Sequence, residues 1–197
     1  MKSNMKKILI LCFVVFFSCE ADKSVLENHW VLEIDSQIKD YEKNQIIKKQ
    51  FKNNLDQGAV LDVTFYEENK SGISKITSKY TLETSYSFSQ NLYLKDNEIL
   101  FSCREWFSPL IYKSRKKVSD PCCSVSETKS YFFSKDSILN LERKKKINSV
   151  NDFTSFDETL DLEPLLEKDN TGFDYEYYKS FIEEMNERFP IEDQFTN

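Results

Sequence analysis

Apolar side chains recur along this chain with more than one period, and each change of period predicts a change of element. Ile8 to Phe17 is an unbroken apolar run behind Lys2, Lys6 and Lys7. A membrane-spanning helix needs about twenty such residues, so this run is too short to cross and fits the apolar segment of a secretory leader. Beyond a polar stretch from Glu20 to Ser24, Trp30, Val31, Ile34, Ile38 and Tyr41 recur at helical spacing and predict one amphipathic helix. Ile46, Ile47, Phe51 and Leu55 fall on a different helical face, which predicts a kink or a second short helix after Asn44. Asn53, Asn54, Asp56 and Gly58 supply stop signals.

From Ala59 the period becomes two. Leu61, Val63 and Phe65 alternate with Asp62, Thr64 and Tyr66, and Ile76, Ser78, Tyr80 and Leu82 with Lys75, Thr77, Lys79, Thr81 and Glu83. This is the pattern of half-buried antiparallel strands. Asn69, Ser71 and Gly72 suit positive φ in the hairpin turn between them. Further strands are predicted at 85–95, 98–107, 126–134 and 137–146, with tight connections at Lys95-Asp96-Asn97 and Ser134-Lys135-Asp136. Residues 91–100 align without gaps on 130–139, an offset of 39, which reads either as one hairpin used twice or as two unrelated hairpins sharing turn chemistry.

After residue 147 the helical period returns. Pro164 suits a first helical turn, with Leu160, Leu162, Leu165 and Leu166 available for burial. Thr171 as N-cap and Asp174 as its capping-box partner would open a helix carrying Tyr177, Tyr178, Phe181, Ile182, Met185 and Phe189. The fold class predicted is α+β, with an N-terminal helix, an antiparallel meander of about six strands and C-terminal helices against the sheet. Residues 1–18 form the leader, 19–24 a tether and 25–197 a single domain, since the 179 residues after the leader suffice for one core.

Composition supports a packed body, because 40% apolar and 14% aromatic residues offset 30% charge. The charge is uneven. Residues 152–197 hold 14 acidic and 3 basic side chains, a net of −11, while residues 19–151 carry +2. A body at −9 overall disfavours nucleic acid or anionic head groups as its main partner. Lys113-Ser114-Arg115-Lys116-Lys117 and Arg143-Lys144-Lys145-Lys146 are basic runs that could dock an acidic partner, with solvation, or contact with the acidic carboxy-terminal helices, as the favoured reading.

Cys103, Cys122 and Cys123 follow the leader region. In an exported protein a Cys103 bridge to Cys122 or Cys123 is the leading reading, and closing about twenty residues would stabilise by roughly 3 kcal/mol. An adjacent Cys122–Cys123 bridge is more strained. No metal is expected, because the single histidine, His29, lies far from these cysteines in sequence and their spacing matches no zinc clamp. Nucleophilic catalysis would have to recruit the same His29, and only Gly58, Gly72 and Gly172 are present to build a phosphate loop. No cofactor and no enzymatic activity are therefore expected.

Phe16-Phe17-Ser18-Cys19 behind the basic, apolar leader resembles the lipobox of bacterial lipoproteins, with Phe16 where an aliphatic residue is usual. The resemblance implies cleavage by signal peptidase II before Cys19, whose sulfur and amino terminus would then carry acyl chains such as palmitate. Several chains hold a protein on a bilayer essentially permanently. The Phe-rich leader, the Ser-Cys junction and the hairpins reading Asn91-Leu92-Tyr93-Leu94 and Ser130-Tyr131-Phe132-Phe133 are similar to uncharacterised Bacteroidetes lipoproteins over roughly residues 74–146. That likeness implies an outer-membrane address, on the periplasmic or surface side, and no known activity.

The functional expectation is a membrane-anchored envelope lipoprotein serving as a non-catalytic binding module for an unknown protein or ligand. Trp106, Phe107 and Tyr112 are the best candidates for a contact surface, with core packing as the leading alternative for all three. An inhibitor or immunity lipoprotein, whose acidic tail would plug the basic site of a toxin or hydrolase, is the second reading. A hydrolase using carboxylates comes last.

Overall fold

In a computed structural model of the chain, the structure describes residues 29–55, 58–82, 86–109, 121–168 and 175–189. The leader, Cys19, the tether, the domain boundary at residue 25, Tyr112, the basic run at 113–117, Thr171 and Asp174 lie outside them. The chain divides into two compact units, Met1–Asp40 and Tyr41–Asn197. In the first, residues 29–40 are helical, as the stripe beginning at Trp30 predicts, and this helix, α1, runs on to residue 42.

The second unit is an eight-stranded antiparallel meander in which every strand pairs with its sequence neighbour. The strands are β1 (Ile47–Asn54), β2 (Ala59–Tyr66), β3 (Ile73–Leu82), β4 (Tyr86–Lys95), β5 (Glu98–Pro109), β6 (Cys123–Ser134), β7 (Ser137–Ile147) and β8 (Leu166–Lys168). Among the described residues the strands are accompanied by a 3-10 turn at Val150–Asp152 and by the helices α2 (Phe156–Leu160) and α3 (Tyr175–Arg188). The α+β class and the meander therefore hold, with two strands more than expected.

Both extra strands are edges. The stretch expected as a second helix is β1, whose Phe51 is partly buried and packs near the rings of Phe65 and Phe189. Its lysines suit an exposed sheet edge, and its irregular register hides the two-residue period. Pro164 likewise opens no helix. Leu160 closes α2, which Ser155 caps by accepting the Glu158 N–H at 3.2 Å, and the chain then extends into β8 against Asn140–Glu142. Of the four leucines expected to be buried, only Leu160 is; Leu162 is 87% exposed.

Alternation divides the side chains between two sheet faces. On the front face, Val63, Phe65, Ile76, Leu92, Leu94, Ile99 and Phe132 form the main core under Tyr178 and Met185 of α3. On the back face, Phe107, Cys123, Val125 and Ile147 pack with Leu160 and with Phe153 and Phe156. Burying a large apolar side chain stabilises by about 1.5–3 kcal/mol. These two clusters therefore hold a helix on each side of the sheet.

The aligned hairpins share their turn pairs, Lys95↔Glu98 and Ser134↔Ser137, and then diverge. Leu100 bulges from the second strand of one, whereas Phe133 bulges from the first strand of the other. Only the first turn places two non-glycine residues at positive φ, Asp96 at 52° and Asn97 at 66°. The Leu100 bulge also sends Ile99 to the front face while Phe101 and Cys103 face the back.

Candidate functional site

Registers across β3 to β8 turn the front face into transverse rows. The first, Ile76-Leu92-Ser102-Ser130-Asn140-Lys168, runs beneath α3, where the hydroxyls of Tyr178 and Ser130 lie 3.4 Å apart. The second is Ser78-Gln90-Arg104-Thr128-Glu142, and the third is Tyr80-Phe88-Trp106-Ser126-Lys144. A fourth, Ser108-Ser124-Lys146, closes the series. Rows two to four bound a cleft of about 550 Å³. This lies within the range of small-ligand sites, about 300–1,000 Å³.

Three kinds of side chain make the cleft. Its floor is hydroxyl: Ser108, Ser124, Ser126 and Thr128, whose side chains form no hydrogen bond with the described residues. One wall is aromatic. Trp106 is 39% exposed, with its ring held edge-on by Tyr86 at 5.7 Å and Phe88 at 5.1 Å. The remaining wall is basic, formed by Lys144 and Lys146 on β7 with Arg104 and Lys168 at the inner end. Its single carboxylate, Glu142, accepts from Lys168 Nζ at 2.9 Å. Lys144 and Lys146 are exposed and pair with no carboxylate among the described residues.

Strand alternation produces this charge imbalance. Arg143 and Lys145 belong to the same basic run but point to the back, where Arg143 grips Glu127 through Nε at 2.9 Å and Nη2 at 3.2 Å. Lys145 donates to the Thr159 carbonyl at 3.1 Å and lies near Glu163. The run thus meets the acidic segment with only half its members. The other half forms the cleft wall.

The back face holds two polar clusters. Glu42 accepts from Lys75 Nζ at 2.7 Å and from the Tyr93 hydroxyl, with the ammonium over the Tyr66 and Tyr93 rings. Burial, reinforced by the bond to Glu42, pushes the Tyr93 phenol far above its ordinary value, and burial raises Tyr41 to about 12. In the second cluster Glu105 sits directly across from Glu127 and accepts from Ser89. Burial raises the Glu105 carboxyl, the Ser89 bond opposes that rise, and Glu127 adds to it. Cys103 adjoins these carboxylates, and burial first, then Glu127 and Glu105, holds its thiol well above the usual range. Such a thiol stays protonated and is a poor nucleophile.

The expected Cys103 bridge is not made. Cys103 lies opposite Lys129 and Cys123 opposite Pro109, six positions along the same ladder. At about 3.4 Å per residue that separates them by roughly 20 Å, against a Cα limit near 7 Å for a disulfide. Cys122 and Cys123 are neighbours with sulfurs 2.9 Å apart, and no disulfide joins them.

Of the expected contact residues, Trp106 lies in the cleft and Phe107 is 3% exposed in the back core. Arg104, the hydroxyl floor and the lysine wall were not anticipated as one site. The signal was present in the alternation Ser124-Val125-Ser126-Glu127-Thr128. Among the described residues no group of three or more His, Cys, Asp or Glu side chains is arranged to hold a metal, and no helix is long and apolar enough to cross a membrane. Compared with known proteins, the chain matches no family model, no curated protein and no solved structure at a significant level.

Proposed function

We propose that this chain is a membrane-anchored envelope lipoprotein whose folded body is a non-catalytic binding module for anionic ligands, acting through the front-face cleft. Exposed Lys144 and Lys146, unmatched by any carboxylate among the described residues and set beside unpartnered hydroxyls, carry this reading. Cations in a concavity attract anions and fix them by charge-assisted hydrogen bonds. The Lys-rich leader and Ser18-Cys19 support the anchor.

Two experiments test it. Labelling with a palmitate analogue marks the parent and not Cys19→Ala; equal labelling of both sinks the anchor. Fluorescence polarisation against polyphosphate, oligoglutamate and trigalacturonate at low salt finds at least one ligand, whose binding the K144E/K146E double variant abolishes. Binding unaffected by the double reversal, or none at all, refutes the site.

The exposed carboxylates of α3, Glu176, Glu183 and Glu187, favour a second reading as an inhibitor of a basic enzyme. That association would weaken steeply with salt.

A further inference from the structure

Resting on the anion-binding reading above, we infer that the ligand of the front-face cleft is an acidic saccharide, its sugar ring seated on Trp106 and its carboxylate held by Lys144 or Lys146. Each hydroxyl of the floor both donates and accepts. Sugar hydroxyls do the same, so Ser126 and Thr128 match them in both directions. Phosphates and carboxylates only accept and would leave half of that capacity idle.

Trp106 supplies the second element. Trp106 lines the cleft, is 39% exposed and packs in T-shaped contact with Tyr86 and Phe88, so the position of its ring is set before any ligand arrives. The negative face of an indole attracts the polarised C–H groups of a pyranose and covers them from water. Trp106, Ser126 and Lys144 follow one another on adjacent strands. At about 4.8 Å per strand the ring and the ammonium are rooted roughly 10 Å apart, with the hydroxyl between them. A short acidic oligosaccharide spans that order of contacts: ring face, hydroxyls, carboxylate.

Other anions fit less well. A bilayer is flat and touches protruding side chains, whereas Ser124 on the floor is only 8% exposed. A nucleic acid needs a long track of phosphate contacts, and the strongly acidic carboxy-terminal segment opposes its approach.

The test uses the full chain in detergent against trigalacturonate and sialyllactose, their neutral parents (methyl-esterified trigalacturonate and lactose), polyphosphate and oligoglutamate. Acidic sugars should bind at least about tenfold more tightly than neutral ones, with Lys144→Gln/Lys146→Gln erasing the difference. Trp106→Ala should weaken sugar binding by about tenfold or more and leave oligoglutamate unchanged. Ser126→Val, a floor substitution that leaves the aromatic cluster intact, should also weaken sugars. In a Trp30→Phe background, binding should shift the remaining indole emission to the blue. Lysine-dependent binding of polyphosphate or oligoglutamate with no sugar bound overturns the saccharide while leaving the anion site standing. Binding of none of the anions overturns both, and sugar binding indifferent to Trp106 and Ser126 overturns the placement.

Discussion

Arg143→Met isolates what holds the back face together. The Glu127 side chain is 4% exposed and that of Arg143 15%, and the guanidinium grips both carboxylate oxygens. Glu105 stands directly opposite Glu127, so removing the arginine leaves a buried charge facing a like charge. Deleting one partner of such a pair costs about 3–5 kcal/mol. Lys129 Nζ lies 3.9 Å from Glu127 and compensates in part, which favours the lower end. For a chain of this size each kcal/mol moves Tm by about 2–4 °C, so a loss near 3 kcal/mol lowers Tm by roughly 6–12 °C. The double variant Glu127→Gln/Arg143→Met should recover most of that loss, since no uncompensated charge remains. It should not recover the bond from Arg143 to the Leu160 carbonyl, 3.3 Å in the parent. Thermal unfolding followed by circular dichroism at pH 7 reads both effects. A Tm drop below about 2 °C, or a double variant no more stable than the single one, would refute the reasoning.

Glu105→Gln should stabilise the fold by about 0.5–1 kcal/mol at pH 7, because a like pair directly across two strands is unfavourable. The parent Glu105 carboxyl is raised, so its charge costs stability above the unfolded pKa, and the gain should vanish as pH falls below that value; denaturant titrations at neutral and acid pH show it, and a loss at pH 7 would contradict it. Gly72→Ala should cost about 1–2 kcal/mol, since Gly72 sits at φ +74° and an added Cβ would lie 2.5 Å from Asp96 Oδ1. A urea midpoint equal to the parent's would rule out that strain. Mass spectrometry without reductant should find no peptide joining Cys103 to Cys122 or Cys123, and finding one would mean that the β5–β6 register is different.

What the sequence disclosed follows how deeply each segment is buried. Strands β2 to β7 are legible because one or both faces meet a core, so their apolar residues repeat every second position. Edge strand β1 buries little beyond Phe51, and three residues of β8 make no period at all. α3 is legible through its Tyr178 to Met185 stripe, whereas α2 is too short to show one. The cysteine pairing was misjudged for a different reason. Loop length says how cheaply two thiols can meet, but the ladder register decides where they stand, and register appears only once β5 and β6 are laid side by side.

The same limit explains the cleft. Arg143-Lys144-Lys145-Lys146 reads as one solvated run until β7 is assigned, and then period two forces a division. The odd positions must answer the carboxylates of the back face, where Glu127 and Glu163 meet them. The even positions face the side on which β6 offers Ser124, Ser126 and Thr128, none of which can neutralise a cation. A sheet that satisfies half a basic run internally and leaves the other half beside hydroxyls and an exposed indole has separated a structural charge from the charge proposed to bind a ligand. A one-residue slip of β7 would exchange the two roles, leaving Glu127 without its arginine and the cleft with one. The stability of the back face and the recognition chemistry proposed for the front therefore rest on a single register.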